Sequence, residues 1–172
     1  KKEQKAVDIS ATFKPAGVSV DILKITGVYK PFKKKEQFAL SAKVNNLAAK
    51  TFQPILSDIA EIESGKLTGI VNFNGNADEP VLTGKVDLFD AKVRIDYLNT
   101  TYALGDNQLI IQPDWIGFNN LELFDSQNNK GAGNITVFHN YFTGFNYDIY
   151  FKFDKLNILN TKVGQNDYYY GN

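Results

Sequence analysis

The sequence predicts an all-β protein, a sandwich or a curved sheet, with about nine or ten strands and one helix. Apolar and polar residues alternate with a period of two through most of the 172 residues, as in strands whose successive side chains point to opposite faces. Turn-forming Gly, Asn, Asp and Pro interrupt this alternation at even intervals. Aromatic residues reach 13% of the chain, which suits pleated sheet.

The N-terminal part of the chain predicts three strands. Alternation over 7–13 gives the first strand, and Pro15 with Gly17 gives a turn. The alternation over 18–25 slips by one residue after Ile22, which predicts a β-bulge. The lysine-rich run 30–36 is interpreted as a solvated turn in preference to an anion or lipid-headgroup site. Strand alternation returns at Phe38, Leu40, Ala42 and Val44.

One amphipathic helix is predicted over residues 52–63. Its apolar residues fall at helical spacing, on one face: Phe52, Ile55, Leu56, Ile59 and Ile62. Pro54 is tolerated only in the first turn. Gly65 is expected to end the helix in the left-handed conformation.

Strand alternation resumes from Gly65 onward. Leu67, Val71 and Phe73 share one parity, and Val86 shares another with Leu88. The phase then shifts, so that apolar positions continue at Phe89, Ala91, Val93, Ile95 and Tyr97. Two more apolar segments are predicted at 108–112 and 115–124, followed by a turn at 125–131. A strand is predicted at 135–137, and a last, strongly alternating strand at 145–153.

Bulk composition argues against several classes of protein. Basic and acidic residues balance at 19 each, whereas nucleic-acid binding usually shows a basic excess. The absence of cysteine excludes disulfides and thiolate zinc sites. No apolar run is long enough for a transmembrane helix. Because the chain starts on KKEQKAVD and stops at YYYGN, inside apparent strand sequence, we expect a fragment of a longer protein.

The residues predict neither catalysis, nor a metal site, nor a cofactor. The single histidine, His139, shares strand parity with Ile135 and Val137 and is expected at the apolar side, with no triad signature. The run 125–131 lacks the spacing of an EF-hand. No glycine series matches a phosphate-binding loop. From spacing alone, the apolar stripe at 145–153 is either an ordinary core or the wall of an open groove.

The chain resembles the C-terminal domain of the TamB proteins, within the AsmA-like group. The resemblance rests on an ordered series over residues 50–171, about two-thirds of the chain, and residues 1–45 precede it. It begins at PILSDI and continues through Gly65, Gly69, Gly75, Pro80, Gly84 and Asp90–Ala91. Further matches are IDYLNTTYAL, Ile116–Phe118, Asn129–Gly131, Phe138–His139, NYDIYFKF and LNT.

This resemblance implies a β-taco, a sheet curled into a half-pipe with an apolar interior. It implies a periplasmic part of an inner-membrane-anchored envelope protein that carries phospholipid or supports outer-membrane protein assembly beside a barrel partner of the TamA type. The groove lining is then expected at Val93, Ile95, Tyr97, Leu109, Ile111, Ile135, Val137, Phe145, Tyr147, Ile149, Phe151 and Phe153.

Two other hypotheses about function stay open. A closed β-sandwich could serve as an adhesion or carbohydrate-binding module, with Tyr97, Tyr102, Tyr168 and Tyr169 as stacking platforms. A structural scaffold could pair its edge strands with a barrel or with neighbouring repeats, and this role is compatible with the apolar groove. An exposed apolar lining also predicts self-association, or capture of lipid or detergent, by the isolated fragment.

Overall fold

Almost the whole chain forms one antiparallel sheet in the computed structural model, which describes residues 5–17 and 19–161. Each strand pairs with the next along the chain, except that β6 and β7 lie end to end between β5 and β8. The strands are β1 Val7–Phe13, β2 Leu23–Tyr29, β3 Phe38–Ala48, β4 Ala60–Gly75, β5 Pro80–Ile95, β6 Thr100–Leu104, β7 Asn107–Ile111, β8 Trp115–Phe124, β9 Lys130–Asn140 and β10 Thr143–Phe153. The predicted all-β class, a long curved antiparallel sheet with one short helix, is confirmed.

The helix is shorter than the sequence predicts. A 3₁₀ turn at Ala49–Phe52 leads into α1, Gln53–Leu56, with Pro54 in its first turn as expected. The predicted continuation to residue 63 is wrong, because β4 begins at Ala60. The Gln53 side chain fixes this return to strand: its Nε2 donates to the Ala60 carbonyl at 2.9 Å, and its Oε1 accepts from the Ile62 N–H at 2.6 Å.

Gly65 does not end the helix but lies inside β4, at φ 137°. A β-carbon at this position would approach the β-carbons of Ala49 and Ala91 to 3.1 Å. The glycine therefore allows the 3₁₀ turn to pack closely against β4 and β5.

Four strand irregularities form a line across the sheet. Pairing shifts register between Val44 and Leu47 in β3, between Ile62 and Lys66 in β4, and between Phe118 and Leu121 in β8. In β5 the partner changes from β7 at Leu88 to β6 at Ala91. Bulges increase the local twist and bend a strand, so a line of them bends neighbouring strands at one level.

Side chains from neighbouring strands satisfy backbone groups that the bulges release. The Asn46 N–H donates to the Thr68 hydroxyl at 3.1 Å. The Ser64 hydroxyl donates to the Asp90 carbonyl at 2.8 Å. The Asn120 N–H donates to Oδ1 of Asn134, also at 2.8 Å. Because Asn46, Asp90 and Asn120 all adopt positive φ, these bulges use residue types that tolerate the left-handed region.

The predicted phase changes have different outcomes in β2 and β5. No bulge occurs near Ile22: β2 begins at Leu23 and pairs with both neighbours in continuous register, so the slip marks the start of the strand. The phase change in β5 is confirmed, but Phe89 is exposed, and burial resumes at Ala91. Asp90 is the bulged residue that separates them.

Candidate functional site

Strand register places apolar residues on one side of the sheet from its first strand to its last. Directly opposed residues of antiparallel strands point to the same side. One such row crosses every strand position and contains only apolar residues and one glycine: Phe13, Leu23, Val44, Gly69, Val86, Leu109, Phe118, Ile135 and Ile149. We call this side of the sheet the apolar face.

The opposite side, the polar face, has a different composition. The row displaced by one residue contains Thr12, Lys24, Lys43, Ile70, Lys85, Ile110, Gly117, Thr136 and Asp148. A one-residue slip would exchange the two faces completely. The correspondence over so many strands shows that the sequence specifies one apolar side along the entire sheet.

Burial on the apolar face falls from the middle of the sheet towards its edges. Val86 in β5 is 6% exposed, whereas Ile149 in β10 is 59% exposed. Phe13 in β1 and Tyr147 in β10 are also exposed. The described strands form one sheet, in which β1 and β10 do not pair with each other. Curvature and the segments lying on the face therefore cover its centre and leave both edges open.

Glycines allow this curvature where neighbouring strands approach closely. Gly69 and Gly84 both lie on the apolar face, in β4 and β5. A β-carbon at Gly69 would overlap the backbone of Lys85 and Val86, and one at Gly84 would overlap the Ile70 carbonyl. Glycine is needed where one strand backbone comes this close to the next.

The segment Ala49–Leu56 covers the centre of the apolar face. Ala49 forms a buried cluster with Ile62, Leu88 and Ala91, and Leu56 packs against this cluster. The cluster lies beside the line of bulges. The centre of the face is thus occupied by the chain itself, and the accessible apolar surface lies towards the edge strands.

A second segment, 154–161, returns along the strand ends and is held by hydrogen bonds. Asp125 Oδ2 accepts from the Asn157 N–H at 2.9 Å, and Tyr102 Oη donates to the Asn157 carbonyl at 2.8 Å. Further along, the Asn160 N–H donates to the Leu98 carbonyl at 3.0 Å. These bonds hold the segment beside β6, the turn that precedes β6, and the end of β8.

The Asp125 carboxylate organises both this segment and the β8–β9 turn. It accepts from the Asn129 side chain and from the backbone N–H groups of Asn129 and Gln127, each at 2.9 Å. The Asn129 side chain, together with the N–H groups of Asn157, Asn129 and Gln127, lowers the pKa of Asp125 to about 2. This explains the polar run 125–131 as a structural turn.

The opposite end of the apolar face is aromatic. The Tyr29 and Phe38 rings stack with centroids 4.9 Å apart, and Phe38 lies 5.3 Å from Phe73. All three side chains belong to the apolar face by register. This aromatic end lies beside the loop that joins β2 to β3.

The register brings most of the predicted lining residues to the apolar face. Those placed there are Val93, Ile95, Leu109, Ile111, Ile135, Val137, Tyr147, Ile149, Phe151 and Phe153. Phe145 lies where β10 shifts register, and its ring meets His139 edge-on at 6.4 Å. Tyr97 lies in the turn 96–99, beyond the end of β5, so the predicted extension of the strand to Tyr97 is wrong.

The predicted groove lining does not include residues of the N-terminal strands, which also belong to the apolar face. Phe13, Leu23 and Val44 belong to the same row as Ile149, although the family resemblance begins only near residue 50. Their alternation in the sequence carried the necessary signal. Only register could show that their parity matches that of the later strands.

The single histidine of the chain lies in a structural environment. His139 is buried beside Phe142, with ring centroids 4.3 Å apart, and its Nδ1 accepts from the Phe142 N–H. Among the described residues, no group of three His, Cys, Asp or Glu side chains could hold a metal ion. No helix in the same part of the chain has the length and apolarity required to cross a membrane.

The proposed sugar-stacking residues are differently placed. Tyr102 is buried, its hydroxyl is bound to Asn157, and burial raises its pKa. It therefore cannot present a ring to a sugar. Tyr97 is exposed, whereas Tyr168 and Tyr169 lie outside the described residues. The ten strands of the described residues also form one sheet, whereas a sandwich has two packed sheets.

Comparisons with protein-family models, curated proteins and solved structures found no match for this chain. The likeness to the TamB group accordingly rests on the ordered sequence series alone.

Proposed function

We propose that this protein is a non-enzymatic carrier that holds the acyl chains of a phospholipid, or a similar hydrophobic client, on its apolar face. The observation that carries the proposal is the apolar row that crosses every strand position and stays exposed at both edges. This choice of client needs no catalytic group, metal or cofactor.

The chemistry of an acyl chain matches such a surface. An acyl chain requires a dry lining and no specific polar partner. Side chains on one face of a strand recur about every 6.7 Å, which gives a continuous apolar wall. Burying each methylene is worth about 0.8 kcal/mol, so several methylenes along an edge strand give useful affinity without a defined site.

The dimensions of the sheet also suit a lipid chain. β4 and β5 contain 16 residues each, and β10 contains 11. At about 3.3 Å per residue, an 11-residue strand runs about 36 Å. One leaflet of a bilayer core is about 15 Å thick. A single acyl chain therefore fits along β10 without reaching the covered centre of the sheet.

The cellular setting of the proposal comes from the likeness to the TamB group. In that setting, the chain is a periplasmic part of an inner-membrane-anchored protein that moves phospholipid towards the outer membrane. A barrel protein of the TamA type is its proposed partner, with support of outer-membrane protein assembly as a related role.

Adjacent residues of β10 provide the decisive test. Ile149→Asp places a carboxylate on the apolar face, and Tyr150→Asp places one on the polar face at a matched site, because the two side chains are 59% and 61% exposed. Binding of a fluorescent acyl-chain probe should weaken at least about tenfold in Ile149→Asp, since the carboxylate must be desolvated against the chain. Tyr150→Asp should bind nearly as the wild type does.

Circular dichroism and thermal unfolding establish that both variants are folded. If folded Ile149→Asp binds the probe as tightly as Tyr150→Asp, the apolar face is not the lipid site and the proposal fails.

A further inference from the structure

The loop joining β2 to β3 concentrates positive charge at the aromatic end of the apolar face. Its residues 30–37 contain four lysines and one glutamate, in a chain whose basic and acidic residues balance at 19 each. Within the described residues, the only ion pair formed by the loop is Lys33 Nζ with Glu36 Oε2, at 3.5 Å. The side chains of Lys34 and Lys35 are exposed.

An aromatic side chain projects from the same loop. The Lys33 N–H donates to the Lys30 carbonyl at 3.1 Å, which closes a four-residue turn with Pro31 and Phe32 at its centre. Proline at the second position of such a turn presets its backbone. The side chain of Phe32 is 70% exposed at this apex. The turn thus holds an apolar ring in solvent among lysines.

Neighbouring segments hold the loop in place. The Lys30 N–H donates to the Gln37 carbonyl at 2.7 Å across the base of the loop. The Asn76 side chain, from the β4–β5 turn, donates to the Lys34 carbonyl at 3.0 Å. A cavity of about 220 Å³ lies beside the turn and is lined by Lys5, Ala6, Lys30, Phe32 and Lys33. Three lysines therefore line a recess large enough for a phosphate group.

The adjacent β4–β5 turn gives this end of the molecule an acidic side next to the lysine loop. It carries Asp78 and Glu79, whose backbone N–H groups both donate to Asn76 Oδ1. Neither carboxylate pairs with a loop lysine within the described part of the chain. The surface charge therefore changes sign between two neighbouring hairpins, which directs the lysine side, and not the acidic side, towards an anionic surface.

We propose that the β2–β3 loop docks the protein on a bilayer containing anionic phospholipid, with Phe32 entering the interface and the lysines contacting phosphate groups. Exposed aromatic rings beside lysines are typical of interfacial membrane contacts. Tyr29 and Phe38 flank the loop and line the end of the apolar face, so docking brings that end to the bilayer. This last step rests on the proposed carrier function, whereas the docking does not.

Vesicle flotation tests the docking with the full chain. The probes are vesicles of phosphatidylcholine alone and vesicles containing 30% phosphatidylglycerol. The triple variant Lys33→Gln, Lys34→Gln, Lys35→Gln should lower partitioning onto the anionic vesicles on the order of 100-fold, since each lysine near such a surface strengthens binding about fivefold. Phe32→Ser should lower it on the order of tenfold. Wild-type binding should also fall as salt is raised.

A matched triple variant removes the same charge elsewhere. The control variant alters three exposed lysines of the polar face: Lys24→Gln, Lys43→Gln, Lys85→Gln. It should lower partitioning less than about tenfold, compared with about 100-fold for the loop variant. Equal losses in the two triple variants would overturn the proposal, as would equal wild-type binding to both kinds of vesicle. Displacement by inorganic phosphate at constant ionic strength would also overturn it, because it would indicate a free-anion site.

The two proposals fail separately. Ile149→Asp should float with anionic vesicles as the wild type does while losing the acyl probe. If the lysine-loop variants keep full flotation and Ile149→Asp still loses the probe, only the docking is wrong. If the loop variants lose flotation and Ile149→Asp keeps the probe, only the carrier function is wrong.

Discussion

Asp125 shows how one side chain can tie together segments that are distant in sequence. Its carboxylate closes the β8–β9 turn and holds Asn157, 32 residues further along the chain. Because every partner donates to the charged form, the folded protein lowers the pKa of this carboxyl from 3.8 to about 2. The sequence indicates a turn here, but not its contact with residues 154–161.

Asp125 should make stability depend on pH in the acid range. A lowered folded-state pKa contributes stability that is complete above the unfolded value near 3.8 and is lost as pH falls through about 2. The wild type should therefore lose stability between about pH 5 and pH 2, and Asp125→Asn should be less stable at pH 7 and lose less over that interval.

Urea unfolding at several pH values measures this difference. Asn129→Ala removes one donor to the Asp125 carboxylate and should lose less stability than the wild type over the same interval, but more than Asp125→Asn. An unchanged acid dependence in Asp125→Asn would show that other carboxyls dominate.

At the scale of elements, local pattern predicts the strands well and the features that need distant partners poorly. Residues 7–13 and 145–153 alternate because each strand has one polar and one apolar side. The helix boundary depends on Gln53 bonding across to Ala60 and Ile62, which no local pattern reveals. The bulges left a weak signal: the apolar spacing widens from two to three residues at Val44 and Leu47, and again at Phe118 and Leu121.

The apolar face also combines features that local pattern reveals with features that depend on packing. Alternation and the family likeness could predict that β9 and β10 contribute to an apolar face, because period-two spacing is visible in the sequence. They could not predict that Ala49 and Leu56 cover its centre, because that depends on where the chain turns back. The covered centre becomes visible only through packing.

Two adjacent residues of α1 should differ sharply in their effect on stability. Leu56 packs against the cluster on the apolar face, whereas Ile55 is 75% exposed. Leu56→Ala should lower the free energy of unfolding by about 1 to 2 kcal/mol, below the range for fully buried leucines. Ile55→Ala should change it by less than about 0.5 kcal/mol.

Denaturant titration of the two variants measures both values. Had the predicted amphipathic helix over 52–63 been correct, both residues would lie on its buried face and both substitutions would destabilise. Equal losses would therefore contradict the placement of Ile55 in solvent.

At the scale of the whole molecule, the sheet combines zero formal net charge with apolar edges. The charges of 19 basic and 19 acidic residues cancel, which removes the long-range repulsion that keeps proteins apart. Phe13 and Tyr147 expose apolar surface on opposite edge strands. Contiguous exposed apolar surface promotes association.

The isolated chain should therefore self-associate through its apolar face. Sedimentation velocity over a concentration series should show dimers or larger species, and Tyr147→Lys should shift the distribution towards monomer. Tyr150→Lys, on the polar face, should not. If the two variants sediment alike, association does not use the apolar face.

The order of the strands has a consequence for how the sheet is assembled. Each strand pairs only with strands close to it along the chain, from β1 to β10, so the fold is quasi-one-dimensional, as in repeat proteins. The sheet can therefore grow by successive addition of hairpins, because each new strand pairs with a strand that precedes it closely along the chain. The width of the sheet then depends on the number of strands. A further hairpin at either edge would extend the apolar face without altering the strands already in place.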